Sequence, residues 1–220
     1  MHAPETCAVD PDARDLRVFE AVRELLAVHG MRLSMEAIAA QAGCSKQTLY
    51  SRYGCKRQLL QHVVRLHVSA TAAPLAARSQ RPLREVLLEF AIGYLEHRNQ
   101  PDVQRSARLI ASSAHEFHEE ACAVYRDGAD ALRDHMAEWM QTEIARGRLD
   151  RDDPRFMAEL LISMIAGQDF ERQRFHVPCR ADASQRRRWA EFAIDRFLRA
   201  FAARPGAAPP TENNATRSCS

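Results

Sequence analysis

Between residues 13 and 203, apolar side chains return at intervals of three and four. That spacing gathers them on one side of a helix, and the two-residue alternation of a half-buried strand is missing. The pattern predicts an all-α chain of about nine helices. The first spans about 13–29, with Leu16, Phe19, Val22 and Leu26 as its buried face and Gly30 where a left-handed stop belongs. Ser34 then caps a short helix ending near Gln41, Gly43 supplies a tight turn, and Ser45 caps a second short helix through about Tyr53. A longer helix starts at Lys56 with Leu59, Leu60, Val63, Val64 and His67, and Pro74 lies just past its expected end. Further helices are expected at about 82–98, 102–113, 117–146, 153–174 and 184–203, separated by Pro101, Gly147, Pro154 and Pro178.

The aperiodic, Pro-containing ends, 1–12 and 205–220, read as a disordered arm and tail. Between them the pattern divides into a small three-helix unit, 13–55, and a larger helical unit, 56–204. A chain of 220 residues buries enough surface to fold without covalent staples. The six cysteines (Cys7, Cys44, Cys55, Cys122, Cys179, Cys219) form no C-x-x-C pair, which fits a reducing compartment. The first residues lack the basic and apolar stretches of a secretion signal, and no apolar run reaches bilayer length. A cytoplasmic protein with no membrane partner is expected. Lys and Arg number 31 against 29 Asp and Glu, so total charge points to no partner. Its distribution does: from Ser34 to Leu60, Lys46, Arg52, Lys56 and Arg57 face Glu36 alone.

Two short capped helices joined at a glycine turn make a helix-turn-helix. Within it, Ile38, Leu49 and Tyr53 are placed to bury together, and small Ala39 and Ala42 let the helices approach. The second helix is left with a polar, basic outer face suited to the DNA major groove. There Lys46 can donate to guanine and Gln47 can pair with adenine. Ser34 and Ser45 cap helix starts whose free N–H groups suit phosphate. Ile38, Ala39, Ala42, Gly43, Ser45, Thr48, Leu49, Tyr50, Tyr53, Lys56 and Leu59 resemble, at fixed spacing, the signature of the TetR family of transcriptional regulators. The resemblance implies double-stranded operator DNA as partner, with Ser34, Thr48, Tyr50 and Lys56 on the phosphate backbone. Cys44 replaces the usual aliphatic residue and Tyr53 stands for Phe, neither breaking the fold. Gln47 stands where a small residue or proline is frequent, Arg52 at a common His position, and Glu36 puts an acid near a DNA-contacting position, so no operator sequence follows.

The second half, through Gly147-Arg148-Leu149, Asp153-Pro154 and Ile165-Ala166-Gly167, resembles the AefR-like subgroup of that family. This implies a ligand-binding and dimerisation domain, and a repressor released from its operator by an unidentified small-molecule effector. For the effector the candidates are His67, Phe90, Tyr94, Phe117, Tyr125, Met136, Trp139 and Met140, each also readable as plain core. Two stripes suit a homodimer surface: Phe156, Leu160, Ser163 and Gly167, then Trp189, Phe192, Ala193, Phe197 and Phe201. They too are readable as one subunit's core. A dimer is expected on energetic grounds, because a second half-site doubles the contacts of one short recognition helix.

Two other readings stay open. Cys44 and Cys55 flank the recognition helix, so a thiol-redox regulator is an alternative. His115 and His118, one turn apart beside acids, offer two metal donors but no distant third, and neither metal nor cofactor is expected. No nucleophile elbow, phosphate loop or metal triad supports catalysis, so an all-helical enzyme is only the contrasting class.

Overall fold

Helix starts in this chain are fixed by side chains that accept the N–H groups no helical carbonyl can reach. The computed structural model describes residues 12–76, 81–177, 180 and 182–203. The expected arm, apart from Asp12, and the expected tail lie outside them. Asp12 caps α1 (Ala13–His29) in a capping box with Asp15, Ser34 caps α2 (Met35–Gln41) and Ser45 caps α3 (Lys46–Tyr53). Then follow α4 (Lys56–Ala76), α5 (Leu83–Arg98), α6 (Pro101–Ser113) and α7 (His118–Tyr125). Asp153 caps α9 (Pro154–Ala166) and Asp182 caps α11 (Ala183–Phe201). Between α7 and α8 (Ala131–Ala145) the chain runs on through a π-helical segment, Arg126–Asp130, and α10 (Asp169–Arg174) is a short link. The chain is all-α. Among the described residues the one ladder-like contact is an isolated antiparallel bridge between Leu149 and Ala202.

Three expectations change. Leu16 is 56 % exposed, and the buried face of α1 is Val18, Ala21, Val22 and Leu25, with Phe19 and Leu26 at its edge. The helix turns this face inward because it packs against both α2 and α6. Pro74 lies inside α4, where burial of Ala72 and Leu75 on either side offsets the missing N–H donor. The helix expected over 153–174 breaks at Gly167, whose φ of 54° ends α9. A side chain there would also meet Trp189, whose ring comes within 3.0 Å of the position a Cβ would take.

Buried side chains form two clusters. The head cluster joins Val18, Val22 and Met31 to Ile38, Leu49 and Tyr53, and closes on Leu59 and Leu60 of α4. The body cluster takes Val68, Ala72 and Leu75 from the far end of the same helix and packs them with Phe90, Met136, Met140, Leu161 and Phe197. Helix α4 therefore belongs to both cores, and its first turn completes the head. Ile110, Phe117 and Val124, from α6, the following loop and α7, lean on the head cluster from the body side.

Candidate nucleic-acid interface

Burial of Ile38, Leu49 and Tyr53, with Ala39 and Ala42 between them, fixes α3 against α2 as the spacing predicts. The Ser34 hydroxyl accepts the Ala37 N–H at 3.1 Å, and the Ser45 hydroxyl accepts the Thr48 N–H at 3.0 Å. Gly43 takes a φ of 64°, which lets the chain reverse between the two helices. Ser34, Ser45, Lys46, Gln47 and Tyr50 are exposed together around the start of α3. Thr48 is half-buried and shares a 2.8 Å hydrogen bond with Ser45. Lys46 is ion-paired with Glu36 of α2, and its ammonium lies 5.7 Å from the centre of the Tyr50 ring. The pair holds the Glu36 carboxyl below the usual range and the Lys46 ammonium above its own.

Two further cations expected on DNA, Arg52 and Lys56, also have partners inside the protein. Arg52 donates to Asp12 at 2.7 Å and to Asp15 at 2.6 Å, bridging the end of α3 to the start of α1. The Tyr53 hydroxyl also donates to Asp15. Burial pushes the Asp15 carboxyl up, but the hydrogen bonds from Tyr53, Arg52 and the Asp12 N–H outweigh it and leave the group below the ordinary carboxylate range. Lys56 is half-buried, donates to the Met31 carbonyl at 3.0 Å and sits 5.7 Å from the Phe117 ring centre. Asp12 and Asp15 escaped the sequence reading. Their signal was there, as two acids three apart at a helix start, but nothing in one sequence tells that they also reach α3.

Polar ties join this head to the body. Arg23 of α1 donates to Asp102 of α6 at 2.8 Å, and Arg32 donates to Glu116 at 2.7 Å. Asp127, in the π-helical segment, accepts from Gln61 at 2.9 Å and from Arg65 at 3.1 Å, both on α4. A π segment spans one more residue per hydrogen bond than an α-helix and so shifts the facing of the helix after it: α7 leans on the head through Val124 while α8 packs in the body.

The eight effector candidates do not converge. Phe90, Met136 and Met140 are fully buried in the body cluster, with Tyr94 packed beside them, while Tyr125 is 62 % exposed. Phe117 lies under Lys56, and His67 stacks on His97 with ring centres 3.4 Å apart. Of the eight, Trp139 alone faces a cavity of about 660 Å³ between α4 and α8, whose other walls include Ser69, Leu75, His135, Thr142 and Arg146. On the expected dimer stripes Phe156 is 72 % exposed and Phe192 52 %, and Leu160, Ser163 and Gly167 are exposed with them. Trp189 is half-buried and donates to the Ile165 carbonyl at 2.8 Å. Phe197 is a correction, and Ala193 with it: at 1 % and 2 % exposed they belong to the body core. Cys44 is half-buried and Cys55 exposed, while His118 has Cys122 as its neighbour, sulfur to Nε2 at 3.7 Å.

Comparison with known proteins places this arrangement. A profile described as the AefR-like transcriptional repressor C-terminal domain matches residues 85–203, more than half of the chain, and one described as bacterial regulatory proteins of the tetR family matches residues 18–63. No curated protein matches the sequence. Among solved structures, a TetR-family regulator from Mesorhizobium loti is 21 % identical over 89 % of this chain and 100 % of its own, with a TM-score of 0.72. The flavonoid-responsive regulator FrrA is 25 % identical over 88 % and 98 %, with a TM-score of 0.65. SmeT, solved in complex with triclosan, is 18 % identical over 90 % and 96 %, with a TM-score of 0.57. With profiles matching head and body in turn and one fold shared along nearly the whole length, this chain belongs to the TetR family of transcriptional regulators, with a DNA-binding helix-turn-helix in its head and a body of the AefR-like type.

Proposed function

We propose that the protein is a homodimeric repressor that holds operator DNA through two copies of α3 and lets go when its body binds a small molecule. The observation that carries this reading is the exposed, polar start of α3, with Lys46, Gln47 and Tyr50 beside the caps Ser34 and Ser45. Lys46 and Gln47 read base edges, while Ser34, Ser45, Thr48 and Tyr50 set register on phosphate. Arg52 and Lys56 reach phosphate only by leaving Asp15 and Met31. Residues 13–55 act as the reader and 56–204 as the sensing and pairing unit, with α4 shared between them.

The cavity between α4 and α8 is the effector site of this proposal. An occupant there touches the helix that carries the head and the body behind it at once, so it can favour one spacing of the two heads over another. FrrA is flavonoid-responsive and SmeT was solved with triclosan, which supports a small aromatic effector stacked on Trp139. An effector that prefers the DNA-incompetent spacing weakens operator affinity by the factor by which operator weakens effector affinity. The exposed faces of α9 and α11, with Phe156, Leu160, Ser163, Gly167, Trp189 and Phe192, form the dimer surface. The test combines molar mass from light scattering with binding to a duplex selected from a random pool. Phe156→Glu with Leu160→Glu is expected to give monomers and to weaken operator binding at least about tenfold, through loss of the second half-site. A wild-type chain that is monomeric and selects no duplex would sink the reading.

A further inference from the structure

The base-reading candidate Lys46 is already occupied. Its ammonium is ion-paired with Glu36, which projects from the first turn of α2 toward the first residue of α3. Both side chains are more than half exposed, so this is a pair between two solvated groups beside the recognition helix and contributes little to holding the fold. Nothing in the head core depends on it: α2 and α3 are clamped by Ile38, Leu49 and Tyr53. Glu36 also accepts from its own backbone N–H and from the Ser34 hydroxyl, but the residues that cap α2 and α3 are Ser34 and Ser45. In the proposed docking, with Ser34 and Ser45 on phosphate, the acid lies two residues beyond Ser34 and close to the negative backbone.

That placement gives the two kinds of DNA contact unequal standing. A free lysine near a phosphate displaces a condensed counterion and gains affinity on any sequence. Lys46 has its counterion built in, and moving it to a phosphate leaves the Glu36 carboxylate uncompensated in the negative potential of the backbone. A guanine–cytosine pair in the major groove offers a different exchange, since guanine O6 and N7 accept from the ammonium while the cytosine amine donates to a carboxylate. Both members of the pair then find partners together. We infer that Glu36 is a specificity-determining residue that withholds Lys46 from the phosphate backbone and yields it to a guanine–cytosine base pair. The inference rests on Lys46 being a base reader.

The test uses the full chain, a duplex selected from a random pool by the wild-type protein, and a scrambled duplex of equal composition, titrated at several salt concentrations. Glu36→Gln is expected to raise affinity for the scrambled duplex about fivefold and to cut the selected-to-scrambled ratio by a similar factor. The slope of log affinity against log salt on scrambled DNA should steepen by about 0.9, one additional counterion released. In a Lys46→Ala background the same substitution should change scrambled affinity less than about twofold, because the withheld cation is gone. Glu36→Ala should behave as Glu36→Gln does, with the thermal midpoint of each variant confirming that the head is folded. Unchanged scrambled affinity and slope would overturn the inference, as would an undiminished effect of Glu36→Gln without Lys46. A Lys46→Ala chain that keeps the full wild-type preference would instead reject Lys46 as the reader, a separate failure.

Discussion

Head and body both bury carboxylates, and two of these acids, Asp15 in the head and Glu143 in the body, do different work. In the head, Asp15 of α1 accepts from Arg52 and Tyr53 of α3, tying helices 37 and 38 positions apart in sequence. In the body, Glu143 near the end of α8 accepts from Arg146 at 3.0 Å and from Arg148, close along the chain, and Arg148 in turn donates to the Arg81 carbonyl at 2.8 Å. The body acid closes a helix end. The head acid orients the element that meets DNA. A small core with few large side chains leaves the pose of its outer helix underdetermined, and a polar tie from elsewhere in the chain supplies what packing does not. The larger body core can fix its helices by interdigitation alone.

The largest effect expected from breaking this contrast is in the body core. Phe90 of α5 is fully buried in the body cluster, and Phe90→Ala should cost about 3–5 kcal/mol in denaturant unfolding, the transfer loss plus the cavity left behind. Operator affinity of the folded fraction should stay within about twofold, since the head core is a separate cluster. A loss below about 1 kcal/mol would mean that the cluster is not packed as described.

The same contrast explains what could be read from one sequence. The head was legible down to single residues because its geometry is written in short-range signals: Ser34 and Ser45 as caps, Gly43 at the turn, Ala39 and Ala42 where backbones approach. The body was legible as helices and little more. Met136, Met140 and Phe90 are the residue types that line ligand pockets, and they are also the types that fill cores, so the sequence could not separate the two uses. Phe197 and Phe192 lie five apart on α11, and only the packing of the body around that helix tells which of them turns inward. The break at Gly167 was hidden because the periodicity on either side of it continues. Long-range polar ties such as Arg52 to Asp15 leave no local pattern at all.

A smaller effect is expected at the stacked pair His67 and His97, which join α4 to α5. Burial, then the neighbouring His67 and Arg98, holds the His97 imidazole down at about 3, and burial with Arg98 lowers His67 as well. Both folded-state values lie below the ordinary 6.5, so the unfolded chain binds protons that the folded one refuses. The stabilisation is complete above pH 6.5 and is lost as pH falls toward 3. In His97→Gln the unfolding free energy should vary less with pH between 6.5 and 4.5 than in the wild type. Identical pH profiles for the two proteins would show that the imidazole is solvated in the native state.

The smallest effect tests the head tie itself. Asp15→Asn keeps the shape but removes the charge that Arg52 and Tyr53 share, and should cost about 1–2 kcal/mol of stability. Arg52 keeps Asp12 as a partner, so α3 does not come free. What should change is how tightly its end is held. Amide exchange over 46–53 should quicken while 131–145 stays as in the wild type, because Glu143 and the body core are untouched. Operator affinity should fall several-fold, with the preference for the selected duplex falling alongside, since a looser recognition helix loses base contacts before phosphate contacts. If exchange instead rose equally in both helices, the acid would be stabilising the chain as a whole, and the assignment of a separate positioning role to the head's buried carboxylate would fail.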